Sequence, residues 1–200
     1  MAGSMACSDG QAAAELKAEL RKTIRQQIRD LLPDFERESN EAICHRITED
    51  LDDYTRAKTL FCFVGTKMEI DTAPIILHAL QAGKTVAVPL CVAPGIMEAR
   101  RIFGMDDLVP GAYGILEPKP SSEKVDPKDI DTAIVPCISC DRNCGRLGQG
   151  GGFYDRFMDK RNFSAIALCR EVLMLDSVPT EPWDLSVDAV VTEERIYEKK

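Results

Sequence analysis

The sequence predicts a single three-layer α/β domain, a mostly parallel, Rossmann-like sheet flanked by helices. Three observations carry that expectation. Short apolar runs of strand length recur at 59–64, 85–90, 131–137, 164–169 and 187–192. Amphipathic, helix-spaced segments alternate with them, and this rhythm calls for parallel strands joined by right-handed crossovers. The chain has 200 residues, 44% hydrophobic and 29% charged, which fits one domain with a sizeable core and excludes wholesale disorder.

Each element has its own signal. Residues 1–10, MAGSMACSDG, lack the basic and apolar regions of a secretory leader and read as a loose terminus. From Ser8 or Asp9, both N-cap types, a helix is expected to about Leu32, with Leu16, Leu20, Ile24, Ile28 and Leu31 on one stripe. Pro33 ends it. A second amphipathic helix carries Ile43, Ile47 and Leu51. The run TLFCFV (59–64) is a strand closed by Gly65, and Asp71 or Thr72 caps a helix that stops at Gly83. TVAVPL (85–90) is the next strand. Between 92 and 120, Pro94-Gly95, Gly104, Pro110-Gly111 and Pro118 punctuate short segments that suit an antiparallel edge or irregular loops. DTAIVPC (131–137), a long loop, a short helix from about Gly152, SAIALC (164–169) and VDAVVT (187–192) complete the chain.

Composition narrows the function. No run approaches the roughly 18 apolar residues of a membrane span. The net charge of −8 argues against sequence-independent nucleic-acid binding, which needs cations to neutralise phosphates. The charge is uneven, however: Lys17, Arg21, Lys22, Arg25 and Arg29 make the first helix basic. Of eight cysteines, Cys62, Cys91 and Cys169 sit in or beside apolar strands, where a free thiol packs as a small hydrophobe. A reducing cytoplasmic location is therefore expected, with a small-molecule ligand and neither a membrane nor a nucleic-acid partner.

The most informative stretch is GRLGQGGGFYDR, Gly145 to Arg156. It follows a strand and opens a helix, where open parallel sheets bind ligands. Gly148, Gly150, Gly151 and Gly152 let backbone N–H groups approach a phosphate, and the helix start favours the same anion. Arg146 has the fork that clamps a phosphate at two points, and Asp155 is placed to hold Mg²⁺. A flexible turn with an aspartate in the first helical turn is the plainer alternative. Neither the P-loop nor the dinucleotide spacing is present.

The run RLGQGGGFYDR resembles the signature of the 5-formyltetrahydrofolate cyclo-ligase (5,10-methenyltetrahydrofolate synthetase) family. Lys17 and Arg21 resemble its N-terminal Lys-x-x-x-Arg, FVGTKMEIDT (63–72) its folate-contacting segment, and SVDAVVTE (186–193) its C-terminal metal-bearing strand. The resemblance implies an ATP- and Mg²⁺-dependent cyclisation of 5-formyltetrahydrofolate to 5,10-methenyltetrahydrofolate, with release of ADP and phosphate. The formyl oxygen would be phosphorylated and then displaced by N10. No covalent nucleophile is expected, since phosphoryl transfer asks mainly for positioning and charge neutralisation.

Residue by residue, the resemblance puts Lys17, Arg21 and the loop Arg146, Leu147, Gly148, Gln149, Gly150, Gly151, Gly152, Phe153 and Tyr154 around ATP. Arg146 and Tyr154 would lie nearest the reacting groups. Val64 and Glu69 would bind the pteridine, and Asp155 and Asp188 the magnesium. Family members are often monomers, so a monomer is expected. Read without the family, Lys17 and Arg21 are a solvated face, Glu69 a loop acid, Asp188 a strand cap, and Phe153 and Tyr154 core anchors. The chain departs from the family at Gln149 and Gly151, where some members are basic, and at Trp183-Asp184, where many have His-Asp.

Two rival readings stand beside the enzyme. One is a non-catalytic folate or nucleotide binder on the same fold. The other is a metal or redox sensor built on Cys137, Cys140 and Cys144, whose C-x₂-C-x₃-C spacing lacks an evident fourth ligand.

Overall fold

The computed structural model describes residues 5–111, 114–159 and 161–199, with side chains from residue 12 onward. Helix α1 (Met5–Arg29) is followed by α2 (Pro33–His45), a π-helical turn at Arg46–Asp50, and the short α3 (Asp52–Arg56). Strand β1 (Thr59–Cys62), α4 (Ala73–Gln81) and β2 (Thr85–Ala93) form the first strand–helix–strand unit. The central stretch holds β3 (Ile96–Ile102), β4 (Leu108–Pro110), β5 (Leu116–Pro118) and β6 (Lys124–Val125). Then come β7 (Thr132–Val135), β8 (Ser139–Cys140), β9 (Arg146–Leu147), α5 (Phe153–Met158), β10 (Ser164–Leu168), β11 (Ala189–Val191) and β12 (Ile196–Glu198).

Among the described residues the main sheet has eight strands in the order β12-β11-β10-β7-β1-β2-β3-β6. The run from β11 to β2 is parallel, and β12, β3 and β6 close the edges antiparallel. The expected mostly parallel, three-layer architecture is what forms. The 92–120 stretch does both things its punctuation allows. Strand β3 pairs with β2 as an antiparallel edge, while β4 and β5 make a separate two-stranded ribbon.

Alternation along each strand sorts its side chains to two faces. Leu60, Cys62, Val88, Ile134, Ile166 and Leu168 pack against α2, α3 and α4 through Ile43, Tyr54, Ile75 and Ile76. The opposite face is built of small residues, Ala87, Ala99, Ala133, Ala165 and Ala167, with Phe61 among them. Those alanines leave room for bulk from the other layer. Phe157 of α5 stacks on Phe61 at 4.5 Å between ring centroids and meets Phe163 at 5.7 Å. Ile24 of α1 is buried on this same face.

Several boundaries differ from expectation for local reasons. Helix α1 begins at Met5 rather than Ser8 or Asp9, and of the supposed loose terminus residues 1–4 lie outside the described residues. It ends at Arg29 because Leu32 must be extended (φ −70, ψ 137) ahead of Pro33, which then serves as the first residue of α2. No described helix is long and apolar enough to cross a membrane.

Candidate active site

Beyond the C-terminal end of β7 the chain turns at Pro136 into the hairpin β8–β9 and delivers the glycine-rich loop over the ends of the parallel strands. A buried carboxylate shapes that hairpin. Asp141 Oδ1 accepts the N–H groups of Asn143 and Gly145, each at 2.9 Å, and Oδ2 accepts that of Val178 at 2.7 Å. The loop then needs glycine at two places, since Gly150 (φ +100) and Gly152 (φ +65) are left-handed. Helix α5 starts directly after Gly152.

A cleft of about 800 Å³ opens beneath this loop. That volume is within the usual range for small-molecule sites. Phe63, Met68, Met97 and Ile115 supply apolar wall, while Glu69, Glu117, Arg25, Arg146 and Asp155 supply charge. Two segments far apart in sequence meet at its rim. Gln149 donates to Glu69 Oε1 at 3.3 Å and accepts from Arg25 Nη2 at 2.9 Å, so one amide joins the glycine loop, the β1–α4 segment and α1. Glu69 is further steadied by the N–H and hydroxyl of Thr66 at 3.1 and 2.9 Å.

Cationic groups gather at the loop end. Arg21 and Arg25, one helical turn apart on α1, face the loop together. Arg21 Nε donates to the Gly148 carbonyl at 2.8 Å. Arg146 is 8% exposed. Its Nη1 donates to the Pro136 carbonyl at 3.2 Å and its Nη2 to Asp155 Oδ1 at 2.8 Å. The third nitrogen, Nε, is buried with no hydrogen-bond partner among the described residues. Its guanidinium lies 6.0 Å from the centre of the Tyr154 ring. Burial, with Glu69 adding to it, pushes the Tyr154 hydroxyl well above the ordinary phenol range, so it stays a neutral donor.

The family model for the 5-formyltetrahydrofolate cyclo-ligase family matches residues 13–193. The chain belongs to that family. A probable 5-formyltetrahydrofolate cyclo-ligase of Schizosaccharomyces pombe is 29% identical over 172 residues, covering 78% of this chain and 84% of the relative. The 5-formyltetrahydrofolate cyclo-ligase of Escherichia coli K12 is 30% identical over 148 residues, covering 71% and 81%. Among solved structures, the 5,10-methenyltetrahydrofolate synthetase of Aquifex aeolicus superposes with a TM-score of 0.82 at 27% identity, covering 92% of each chain. The expected cyclo-ligase enzyme class and fold are thereby met.

In this cyclo-ligase the cleft collects most of the residues singled out from sequence. Val64, Glu69, Arg146, Gly148, Gln149, Gly150, Gly151, Gly152, Phe153, Tyr154 and Asp155 all line it. Arg21 reaches the loop from α1 without lining the cleft. Leu147 is in the core at 1% exposure, and what it offers the loop is backbone: its carbonyl accepts from Ile138 N–H at 2.8 Å.

Two expected ligands stand elsewhere. Lys17 is 4% exposed and committed to carboxylates, pairing with Glu181 at 2.7 Å and with Asp184. It ties α1 to the segment 181–185 instead of facing the cleft. Asp188 sits at the N-terminal end of β11, level with Ala165 at the start of β10, whereas the cleft is at the C-terminal ends of the strands. Its Oδ2 accepts from Ala165 N–H at 2.8 Å and pairs with Arg161 at 3.0 Å. The structure does not bring Asp155 and Asp188 together. Trp183, 65% exposed, lies in the loop whose Leu185 N–H approaches Asp155 Oδ1 at 3.4 Å.

The cysteine cluster also changes membership. Cys144 turns away, its thiol directed to the carbonyls of Asp188 and Tyr197, and Cys169 takes its place beside Cys137 and Cys140. No group of three or more metal-ligating side chains able to hold an ion is found among the described residues. Sequence reasoning missed Arg25, Glu117 and the apolar wall as site residues. Arg25 carried a signal, since it repeats the Lys17–Arg21 spacing by four; the wall residues carried none, being ordinary core types.

Proposed function

We propose that this chain closes 5-formyltetrahydrofolate to 5,10-methenyltetrahydrofolate at the expense of ATP, acting as a cytoplasmic monomer. The observation that carries the reading is the single cleft with a cationic, glycine-rich end and a carboxylate-bearing, apolar end, joined through Gln149. A formamide oxygen is a poor leaving group. Transfer of the γ-phosphoryl group to that oxygen makes it phosphate, N10 then bonds to the same carbon, and the C–O bond breaks to release inorganic phosphate alongside ADP. The protein's task is positioning and neutralising charge.

Arg146, Arg21 and Arg25 would hold phosphate oxygens, and the partnerless Nε of Arg146 suits a charge-assisted bond to such an anion. Glu69 accepts from pteridine N–H groups while Phe63, Met68, Met97 and Ile115 exclude water from the ring. The neutral Tyr154 hydroxyl donates to the oxygen under attack. For Mg²⁺ the donor set fits in a limited way. Asp155 is one carboxylate at the phosphate end, and magnesium is ordinarily held by one or two carboxylates plus substrate phosphates. Bound there, the ion would offset phosphate charge.

The test mixes the protein with 5-formyltetrahydrofolate, ATP and Mg²⁺ and follows the methenyl chromophore in the near ultraviolet. The expected result is chromophore that requires ATP and is largely lost in Asp155→Asn with folate binding retained. Binding of both ligands without chromophore would replace the enzyme by a binder. Equal loss of turnover and folate binding in Asp155→Asn would remove the metal role.

A further inference from the structure

Strands β7 and β10 pair in parallel register, Ala165 beside Ala133 and Ala167 beside Val135. Two residues further along each chain stand Cys137 and Cys169, on the same small-residue face of the sheet. The Cys137 thiol reaches across to β10 and donates to the Leu168 carbonyl at 3.1 Å, beside Cys169. The Cys169 thiol donates to the Arg170 carbonyl at 3.5 Å, and Cys140, close by in β8, interacts electrostatically with both cysteines. Neighbouring strands are about 4.8 Å apart, and disulfides take Cα separations of roughly 4.4–6.8 Å, so the first two are spaced for a bond. The three differ in access. Cys140 is fully buried, Cys169 nearly so, and Cys137 is partly buried. A small cleft of about 10 Å³ opens on both Cys137 and Cys169 and shares Phe63, Met68, Glu69 and Ile138 with the large one.

We propose that Cys137 and Cys169 are an oxidation site that a peroxide converts to an intramolecular disulfide. The neighbouring Cys137 and Cys140 thiols, helped by the Arg170 guanidinium, hold the Cys169 thiol below its ordinary range and favour it as the thiolate that reacts first. It attacks one peroxide oxygen, the O–O bond breaks, and Cys169 becomes a sulfenic acid as hydroxide leaves. The Cys137 sulfur then attacks that sulfur, its proton combining with the departing hydroxide. Two thiols and one peroxide give one disulfide and two waters. Pro136 and Ile138, on either side of Cys137, both line the ligand cleft, and the Pro136 carbonyl holds Arg146. Drawing Cys137 onto Cys169 therefore moves the cleft floor.

The test treats the native protein with hydrogen peroxide, alkylates under denaturing conditions and maps disulfide-linked peptides. The expected product is a Cys137–Cys169 bond, reversed by dithiothreitol, still formed in Cys140→Ser and absent in Cys137→Ser. Eight remaining thiols, or a bond to Cys140 in the wild type, would overturn the assignment. Affinity for 5-formyltetrahydrofolate should fall by about tenfold on oxidation and return on reduction. Unchanged affinity would overturn the coupling to the cleft. No binding even when reduced would instead count against the proposed substrate, leaving the mapped bond standing.

Discussion

Arg146 combines three features in one side chain: it holds the Pro136 carbonyl, pairs with Asp155, and has a buried Nε with no hydrogen-bond partner among the described residues. Truncation to alanine removes a charge-assisted contact of about 1.5–3 kcal/mol. The apparent KM for ATP in steady-state assays should therefore rise roughly 10- to 150-fold, at 1.4 kcal/mol per tenfold. An unchanged ATP requirement would remove Arg146 from the nucleotide end. Tyr154 gives a pH prediction. Its folded hydroxyl titrates well above the ordinary value of 10, so it keeps its proton through the working range. Any alkaline limb of the activity profile below pH 10 belongs to another group and should be identical in Tyr154→Phe. The sign for stability follows from the raised value: the buried phenol favours the folded state below about pH 10, and this is lost as pH rises further. A limb that vanishes in the phenylalanine variant would contradict the neutral-donor role.

Helix α1 shows how far the outline of an element can be read from sequence while its side-chain partners cannot. Its basic residues spaced by four do share a face, and Arg21 and Arg25 do meet the glycine loop, yet Lys17 one turn earlier meets Glu181 and Asp184. Removing the cation leaves two partly buried carboxylates facing each other. Lys17→Ala should lower folding stability by about 3–5 kcal/mol in urea unfolding while leaving the ATP requirement of the folded protein within about twofold. A raised KM at unchanged stability would restore it as a nucleotide ligand. The strands and crossover helices were legible because apolar runs and glycine or proline stops are local signals. Gln149's bridge to Glu69 was not, because nothing in a sequence tells which side chains 80 residues apart share a rim. Where Asp188 would stand relative to the cleft was hidden for the same reason: its place just before β11 was readable, but which end of the sheet holds the cleft depends on the path of the chain after β7.

At the scale of the molecule, the two sheet faces divide the labour. The side with α2, α3 and α4 is packed with branched aliphatics. The alanine-rich side accepts Phe61, Phe157 and Phe163, and carries α1 and α5 toward the loop. Phe61→Ala should cost about 3–5 kcal/mol in chemical denaturation, since the alanines around it cannot close the gap. A loss under 1 kcal/mol would mean that α5 collapses into the cavity. Buried thiols add a response to alkali. Burial pushes Cys44 and Cys144 from 9.0 up to about 11, so between those values the unfolded chain releases protons that the folded one keeps. Under reducing conditions the urea midpoint should fall as pH rises from 9 to 11, and Cys44→Ala should flatten that slope. A midpoint flat across the range would contradict it. One further consequence is optical. The chain's only tryptophan, Trp183, is exposed on the segment that touches both Lys17, through Asp184, and Asp155, through Leu185. If a nucleotide binds at the loop end of the cleft as proposed, the emission of this one residue would report its arrival without any label.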